Sequence, residues 1–221
     1  MERNAVITAD GSVTLFSSET GEHYHSVHGA IQESLHVFIG AGLKQLIQPA
    51  QINILEVGFG TGLNCLLTLA EPSTRDTETY YCGIEPKPLT GEEVLLLNYG
   101  RLGAYGEFAP LFEQMHSFSR GSRLLRQGFT LERVDTGIEQ AMLKSGFFNL
   151  VFFDAFSAEV QPALWEPAVF QKIRAAMQVG GILVTYAAKG SVRRALQQSG
   201  FVTNRLPGPP GKREMLQAVA C

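Results

Sequence analysis

From about residue 51 the chain alternates short apolar runs with helix-like stretches, and this alternation restricts its fold more than any other feature. Ile52-Asn-Ile-Leu-Glu-Val57 and Asn149-Leu-Val-Phe-Phe153 are nearly continuous apolar runs, the signature of strands buried on both faces. Strands are predicted at 52–57, 79–84, 129–134, 149–153 and 181–186, with helices near 62–70, 90–98, 136–145, 167–178 and 190–199. Such an order builds a mostly parallel sheet with helices on both sides. Two further strands, near 201–206 and 214–219, flank Pro207-Gly-Pro-Pro-Gly-Lys212 and read as a closing antiparallel pair. The expected architecture is therefore α/β, with a mostly parallel seven-stranded sheet. Residues 100–128 form a long irregular connection, expected to be a lid or extra helices.

Ahead of the alternating region, residues 1–28 carry short apolar stretches broken by turn residues, as in Thr8-Ala-Asp-Gly-Ser-Val-Thr-Leu-Phe16. They read as a small β-rich lead. A helix is predicted over 29–47 from the stripe Ile31, Leu35, Phe38, Ile39, Leu43 and Leu46. The chain thus divides into an N-terminal extension and helix, 1–48, and a main domain, 49–221. A length of 221 residues with 45% hydrophobic content supplies one sizeable core.

Three cysteines, Cys65, Cys82 and Cys221, are odd in number and widely spaced, which argues against a disulfide framework. No run reaches the length of a membrane span, and the N-terminus lacks a signal-peptide pattern, so a cytoplasmic location is expected. The net charge of −3 hides an asymmetry. Residues 1–171 hold 10 Lys/Arg and 20 Asp/Glu, whereas residues 172–221 hold 8 and 1. The basic segment, Lys172, Arg174, Lys189, Arg193, Arg194, Arg205, Lys212 and Arg213, is expected to converge near the strand-end loops, where it could meet a polyanion.

Glu56-Val-Gly-Phe-Gly-Thr-Gly62 follows a buried strand and opens a helix. Glycines at 58, 60 and 62 let the backbone turn tightly and approach a ligand. Glu85 ends the next strand, where a carboxylate can bind ribose hydroxyls. A dinucleotide site would continue Gly-x-Gly-x-x-Gly and leave a helix N-terminus for pyrophosphate. Here the spacing is Gly-x-Gly-x-Gly and an acid, Glu56, stands at the strand end, which opposes pyrophosphate and suits a cation such as the sulfonium and ammonium of S-adenosylmethionine. Asp135 after the third strand is positioned for an adenine amino group, and Asp154 after the fourth for the sulfonium side. Any one of these acids could be a helix cap; four at successive strand ends favour a site.

His23-Tyr-His25-Ser-Val-His28 invites a metal reading, but no cysteine or carboxylate lies at ligand spacing, so no metal is expected. Tyr24 and His25 are expected at the mouth of the site. Trp165 and Phe156 are candidates to stack on a base, with Phe153 in the core. Cys65 reads as buried packing.

Larger motifs carry a resemblance. Asp154-Ala-Phe-Ser-Ala-Glu-Val-Gln-Pro-Ala-Leu-Trp165, Gly180-Gly181, Thr185-Tyr186, Gly190-Ser-Val-Arg-Arg194 and Lys212-Arg-Glu-Met-Leu216 stand in order after Gly29-Ala, Glu33-Ser, His36-Val-Phe-Ile39 and the glycine loop through Asn64. Over about 15–216 the chain resembles the tRNA 5-aminomethyl-2-thiouridine methyltransferases, the methyltransferase part of a bifunctional wobble-uridine biosynthesis protein. The resemblance implies a Rossmann-like class I methyltransferase in its stand-alone form, with a flavin-dependent oxidase as a separate partner upstream. It implies S-adenosylmethionine contacts from Gly58, Gly60, Gly62, Asn64, Glu85 and Asp135, with Glu33 facing the site beside Glu56. Asp154 is expected to take the acceptor amine and its proton, and Tyr24, Trp165, Tyr186, Arg193, Lys212 and Arg213 are expected to contact the tRNA substrate. The proline-rich Pro207-Gly-Pro-Pro-Gly211 departs from a loop that is often richer in glycine. The alternative is a polyamine aminopropyltransferase or another amine methyltransferase on the same fold. The usual paired aspartates of the aminopropyltransferases are missing, because Asp154 is followed by Ala-Phe-Ser.

Overall fold

The computed structural model describes residues 3–47 and 49–221. The β-rich lead folds as a small antiparallel sheet of β1 (Arg3–Ile7), β2 (Val13–Ser17) and β3 (Glu22–His23). The helix expected over 29–47 forms as α1 (Ala30–Ser34), which runs into a π-helical turn at Leu35–Gly40 and a 3-10 turn at Leu43–Gln45. Gln48, the last residue of the expected extension, lies outside the described residues. Val13, Leu15, Phe38 and Ile39 pack in the same hydrophobic cluster as Ile52 and Ile54, so the core is continuous across that position.

The main sheet contains β4 (Gln51–Val57), β5 (Glu78–Ile84), β6 (Gly121–Arg126), β7 (Phe129–Val134), β8 (Phe148–Phe153), β9 (Met177–Thr185), β10 (Phe201–Pro207) and β11 (Glu214–Ala220). Their order is β10-β11-β9-β8-β4-β5-β7-β6. The five strands from β9 to β7 are parallel, and β11 runs antiparallel between β9 and β10. The chain leaves β4 toward β5 on one side and returns to β8 on the other. That reversal opens a crevice at the carboxyl ends of β4, β5 and β8, where open α/β sheets bind ligands.

Strand period splits the core into two faces. Ile52 and Ile54 join Tyr81 and Phe152 on one side, under α2 (Leu63–Ala70). Leu55 and Val57 join Phe153 and Ile84 on the other, against α5 (Pro167–Ala176) and α6 (Gly190–Gln198). By the same period Glu56 falls on the α2 side, which decides its role below.

Two expectations require correction. The sheet has eight strands among the described residues, because β6 adds to its edge, antiparallel to β7, from within the connection read as irregular. Four of its six residues are exposed, so it carries no buried alternation to read. That connection also holds α4 (Ala109–His116). Conversely, no helix forms over 136–145. One turn closes where Gln140 and Ala141 donate to the Gly137 carbonyl. Ile138 and Ala141 are buried, but Met142, which a helix would carry on the same stripe, is 98% exposed. The helix at 90–98 is shorter, α3 (Gly91–Leu96), and starts from a capping box of Thr90 and Glu93.

Candidate active site

The crevice encloses a cavity of about 920 Å³. The strand-end loops form its base, and the segment around β3 roofs it. Gly58 and Gly60 line it with φ of +90° and +47°. A Cβ on Gly58 would stand 2.4 Å from the Asp154 carbonyl oxygen, so only glycine lets the loop pass the end of β8. The Gly60 amide donates to Glu85 Oε2 at 3.0 Å, and the Lys87 amide donates to Glu85 Oε1 at 2.9 Å. Glu85 is thereby fixed at the cavity wall, and burial raises its carboxyl above the ordinary glutamate range.

Charge in the cavity is one-sided. Glu19, Glu22, Glu33, Glu85, Glu139 and Asp154 line it, against Lys87 and Lys212. An acidic, partly enclosed wall favours a cationic ligand over a phosphate.

Asp154 follows β8, and its amide donates to the Val57 carbonyl at 2.9 Å. Its Oδ2 accepts from Asn64 Nδ2 at 2.8 Å. Burial pushes its carboxyl up to about 7, and nearby Glu33 adds to the rise, while Asn64 and Lys212 oppose it. A carboxyl balanced near neutrality is suited to proton exchange.

Around it stands a linked set. Glu33 is 5% exposed and accepts from the Ser26 amide at 2.8 Å and from Lys212 Nζ at 2.7 Å. The same ammonium lies 3.8 Å from the Tyr186 ring centroid. The Tyr186 hydroxyl donates to the Ala155 carbonyl at 2.9 Å. Tyr24 packs edge-on against Phe156 at 5.0 Å and covers Gly60, whose Cβ would meet its ring at 3.0 Å. Burial, with Glu85 nearby, pushes the Tyr24 phenol up to about 12.

The structure thus brings Tyr24, Glu33, Gly58, Gly60, Glu85, Asp154, Tyr186 and Lys212 to one cavity. Glu56, Gly62 and Asn64 stand behind its wall. Glu56 is fully buried and accepts from Asn64 Nδ2 and from the Tyr81 hydroxyl, both at 2.9 Å. Gly62 starts α2 with φ +73°, where a Cβ would press on His116 and Phe59. Asp135 turns toward Arg120, at 3.9 Å, and Gly137, Ile138 and Glu139 line the cavity in its stead.

Trp165 is a correction. It is 5% exposed, donates from Nε1 to the Phe156 carbonyl at 2.8 Å and packs at 4.8 Å on Phe153. An indole enclosed in the core has no free face for a base. Arg193 lies half-buried on α6 away from the cavity, and Arg213 is exposed on the β10–β11 loop. The basic segment does not converge as expected. Arg174 bonds the Met177 carbonyl at the opposite end of the sheet, and Lys189 and Arg205 pair with Glu159 and Glu214.

Sequence reasoning missed Glu22 and Ser157. The Ser157 amide and hydroxyl both donate to the Glu22 carboxylate, tying the roof to the loop after Asp154. A two-residue strand is too short to announce itself by periodicity. The histidines disperse. His25 is buried with Nε2 2.7 Å from Thr61 Oγ1, and burial lowers its imidazole to about 4. His23 packs on Phe16, and His28 faces Gly211. No group of three His, Cys, Asp or Glu able to hold a metal occurs among the described residues.

Fold and crevice together define a class: a Rossmann-like α/β domain with its ligand crevice at the carboxyl ends of the central strands. Residues 117–220 match the model of a family described as S-adenosyl-L-methionine-dependent methyltransferase. The chain is 32% identical over 219 residues, 93% of its length, to the tRNA 5-methylaminomethyl-2-thiouridine biosynthesis bifunctional protein MnmC of Paracidovorax citrulli, covering 34% of that protein. With the same-named protein of Cupriavidus metallidurans it shares 31% identity, over 96% of this chain and 33% of the other. The chain therefore spans about a third of the length of the curated relatives it matches. A crystal structure of MNMC2 from Aquifex aeolicus superposes with a TM-score of 0.81 at 26% identity, covering 100% of this chain and 70% of that one. Spermidine synthase from Thermotoga maritima, at a TM-score of 0.54 and 11% identity over 98% of this chain and 71% of that one, shares the fold alone.

The residues present fit the cofactor. Two glycines clear the base of the cavity, a fixed Glu85 can accept from ribose hydroxyls, and the acidic wall suits a sulfonium and an ammonium.

Proposed function

We propose that this chain methylates the primary amine of 5-aminomethyl-(2-thio)uridine at the wobble position of tRNA. The observation that carries the reading is Asp154, a carboxylate at the end of β8 inside an acidic cavity, with its proton affinity raised to about 7. The relatives named for tRNA 5-methylaminomethyl-2-thiouridine biosynthesis support the same substrate.

Bound S-adenosyl-L-methionine supplies an electrophilic methyl group on a sulfonium. Gly58, Gly60 and Glu85 hold the cofactor, with Gly62 supporting the loop from behind. Glu139, which lines the cavity where Asp135 does not, serves the adenine side. Ionised Asp154 attracts the acceptor as its ammonium, takes one proton and leaves a neutral amine facing the methyl group. Glu33, Tyr186 and Lys212 shape the acceptor side, and Tyr24 and Phe156 exclude water. The exposed Arg213, with Arg193, meets tRNA phosphates. A flavin-dependent oxidase that removes a carboxymethyl group supplies the aminomethyl substrate in the cytoplasm. No helix of the described residues is long and apolar enough to cross a membrane. The aminopropyltransferase alternative has the fold in its favour, but the residues after Asp154 are Ala-Phe-Ser rather than a second aspartate.

Asp154→Asn keeps size and hydrogen bonding but removes the proton acceptor. Turnover on aminomethyl-uridine tRNA is expected to fall by about two orders of magnitude, with cofactor affinity little changed. Near wild-type turnover would remove Asp154 from the acceptor role.

A further inference from the structure

Behind Asp154 lies a layer of buried polar groups that does not line the cavity. Asn64, in the first turn of α2, is 1% exposed. Its Nδ2 donates both to Asp154 Oδ2 at 2.8 Å and to Glu56 Oε1 at 2.9 Å. The Tyr81 hydroxyl donates to the second oxygen of Glu56 at 2.9 Å. Both bonds use Nδ2, and Asn64 Oδ1 is buried without a hydrogen-bond partner. An orphaned carbonyl is unfavourable in a core, so packing alone would favour an apolar residue, as at Leu63, Cys65 and Leu66 around it.

We propose that Asn64 is a positioning residue for methyl transfer, bridging Glu56 and Asp154 so that Asp154 Oδ2 is held and Oδ1 is presented to the acceptor amine. The inference deepens the acceptor reading of Asp154 and rests on it. It also changes the role that the resemblance implies for Asn64, whose amide is spent on two carboxyl groups rather than on the cofactor.

Electrostatics support the geometry. Asp154 faces Glu33 from α1, Lys212 from the β10–β11 loop, Tyr186 after β9 and Glu56 from β4, with Tyr81 and Tyr99 in Coulombic range. Burial holds Glu56 well above the ordinary range, which leaves Asp154 as the member of the pair that ionises near neutrality. The Asn64 hydrogen bond favours ionised Asp154, so its loss raises the midpoint and moves activity to higher pH.

The test uses Asn64→Leu and Asn64→Asp, both of which remove the donor. In the cofactor-free protein, the Asp154 carboxyl 13C signal, assigned by its loss in Asp154→Asn, is expected to titrate about one pH unit higher. Turnover at pH 7 should fall by about fivefold and recover at higher pH. Calorimetric affinity for S-adenosyl-L-methionine should stay within about twofold. An unshifted midpoint in either folded variant, or a loss of cofactor affinity matching the loss of rate, overturns the inference. A nearly active Asp154→Asn overturns the acceptor reading and this inference together. An inactive Asp154→Asn beside an unshifted Asn64 variant overturns this inference alone.

Discussion

Single residues carry the chemistry here, and their side-chain directions decide it. Four acids at successive strand ends were legible in the sequence, but strand ends do not fix where a carboxyl points. Glu85 and Asp154 face the cavity, Glu56 falls on the α2 side, and Asp135 turns to Arg120. The raised proton affinity of Asp154 has a thermodynamic consequence. The folded protein holds that proton up to about pH 7, whereas an ordinary aspartate releases it near 3.8, so the folded state loses stability as pH rises through this window. Asp154→Asn escapes the cost. Its melting temperature should exceed that of the wild type at pH 8, and the gap should close toward about pH 4. A constant gap across pH would mean that Asp154 is not perturbed. Gly60 is a second test. Valine there would have to adopt φ +47° and its Cβ would meet Tyr24 at 3.0 Å, so Gly60→Val should lower cofactor affinity at least about tenfold in a protein that still folds. Calorimetry decides it, and undiminished binding would remove the glycine loop from the site.

At the scale of elements, legibility followed burial. The central parallel strands announced themselves because both their faces are apolar, and the predicted ranges for β4, β5, β7 and β8 agree closely with the observed ones. The edge strand β6 is exposed on four residues and gave no pattern. The segment 136–145 had a helical pattern that tertiary contacts override, since burying Ile138 and Ala141 suffices. The β10–β11 loop was read as an RNA contact, yet it delivers Lys212 into the cavity wall. Glu33 pairs with that ammonium, and Lys212 also favours ionised Asp154. Lys212→Met should therefore shift the rising limb of the pH–rate profile to higher pH, with partial recovery of the rate above pH 8 (about one unit beyond the wild-type midpoint). A parallel drop at every pH would point to lost tRNA contact instead.

Across the whole molecule, the parts converge on one place. The topological reversal at β4 opens the crevice, the small N-terminal sheet closes over it through the Glu22–Ser157 contact, and the acidic lining selects a cation. Spermidine synthase shares the fold, so fold alone leaves the transferred group open. The most direct measurement supplies the purified protein with S-adenosyl-L-methionine and tRNA carrying 5-aminomethyl-2-thiouridine, then digests the tRNA and identifies its nucleosides by mass spectrometry. Conversion of the wobble nucleoside to its methylaminomethyl form is expected, and its loss in Asp154→Asn. An unchanged wobble nucleoside, or methyl groups found only elsewhere in the tRNA, would overturn the proposed substrate.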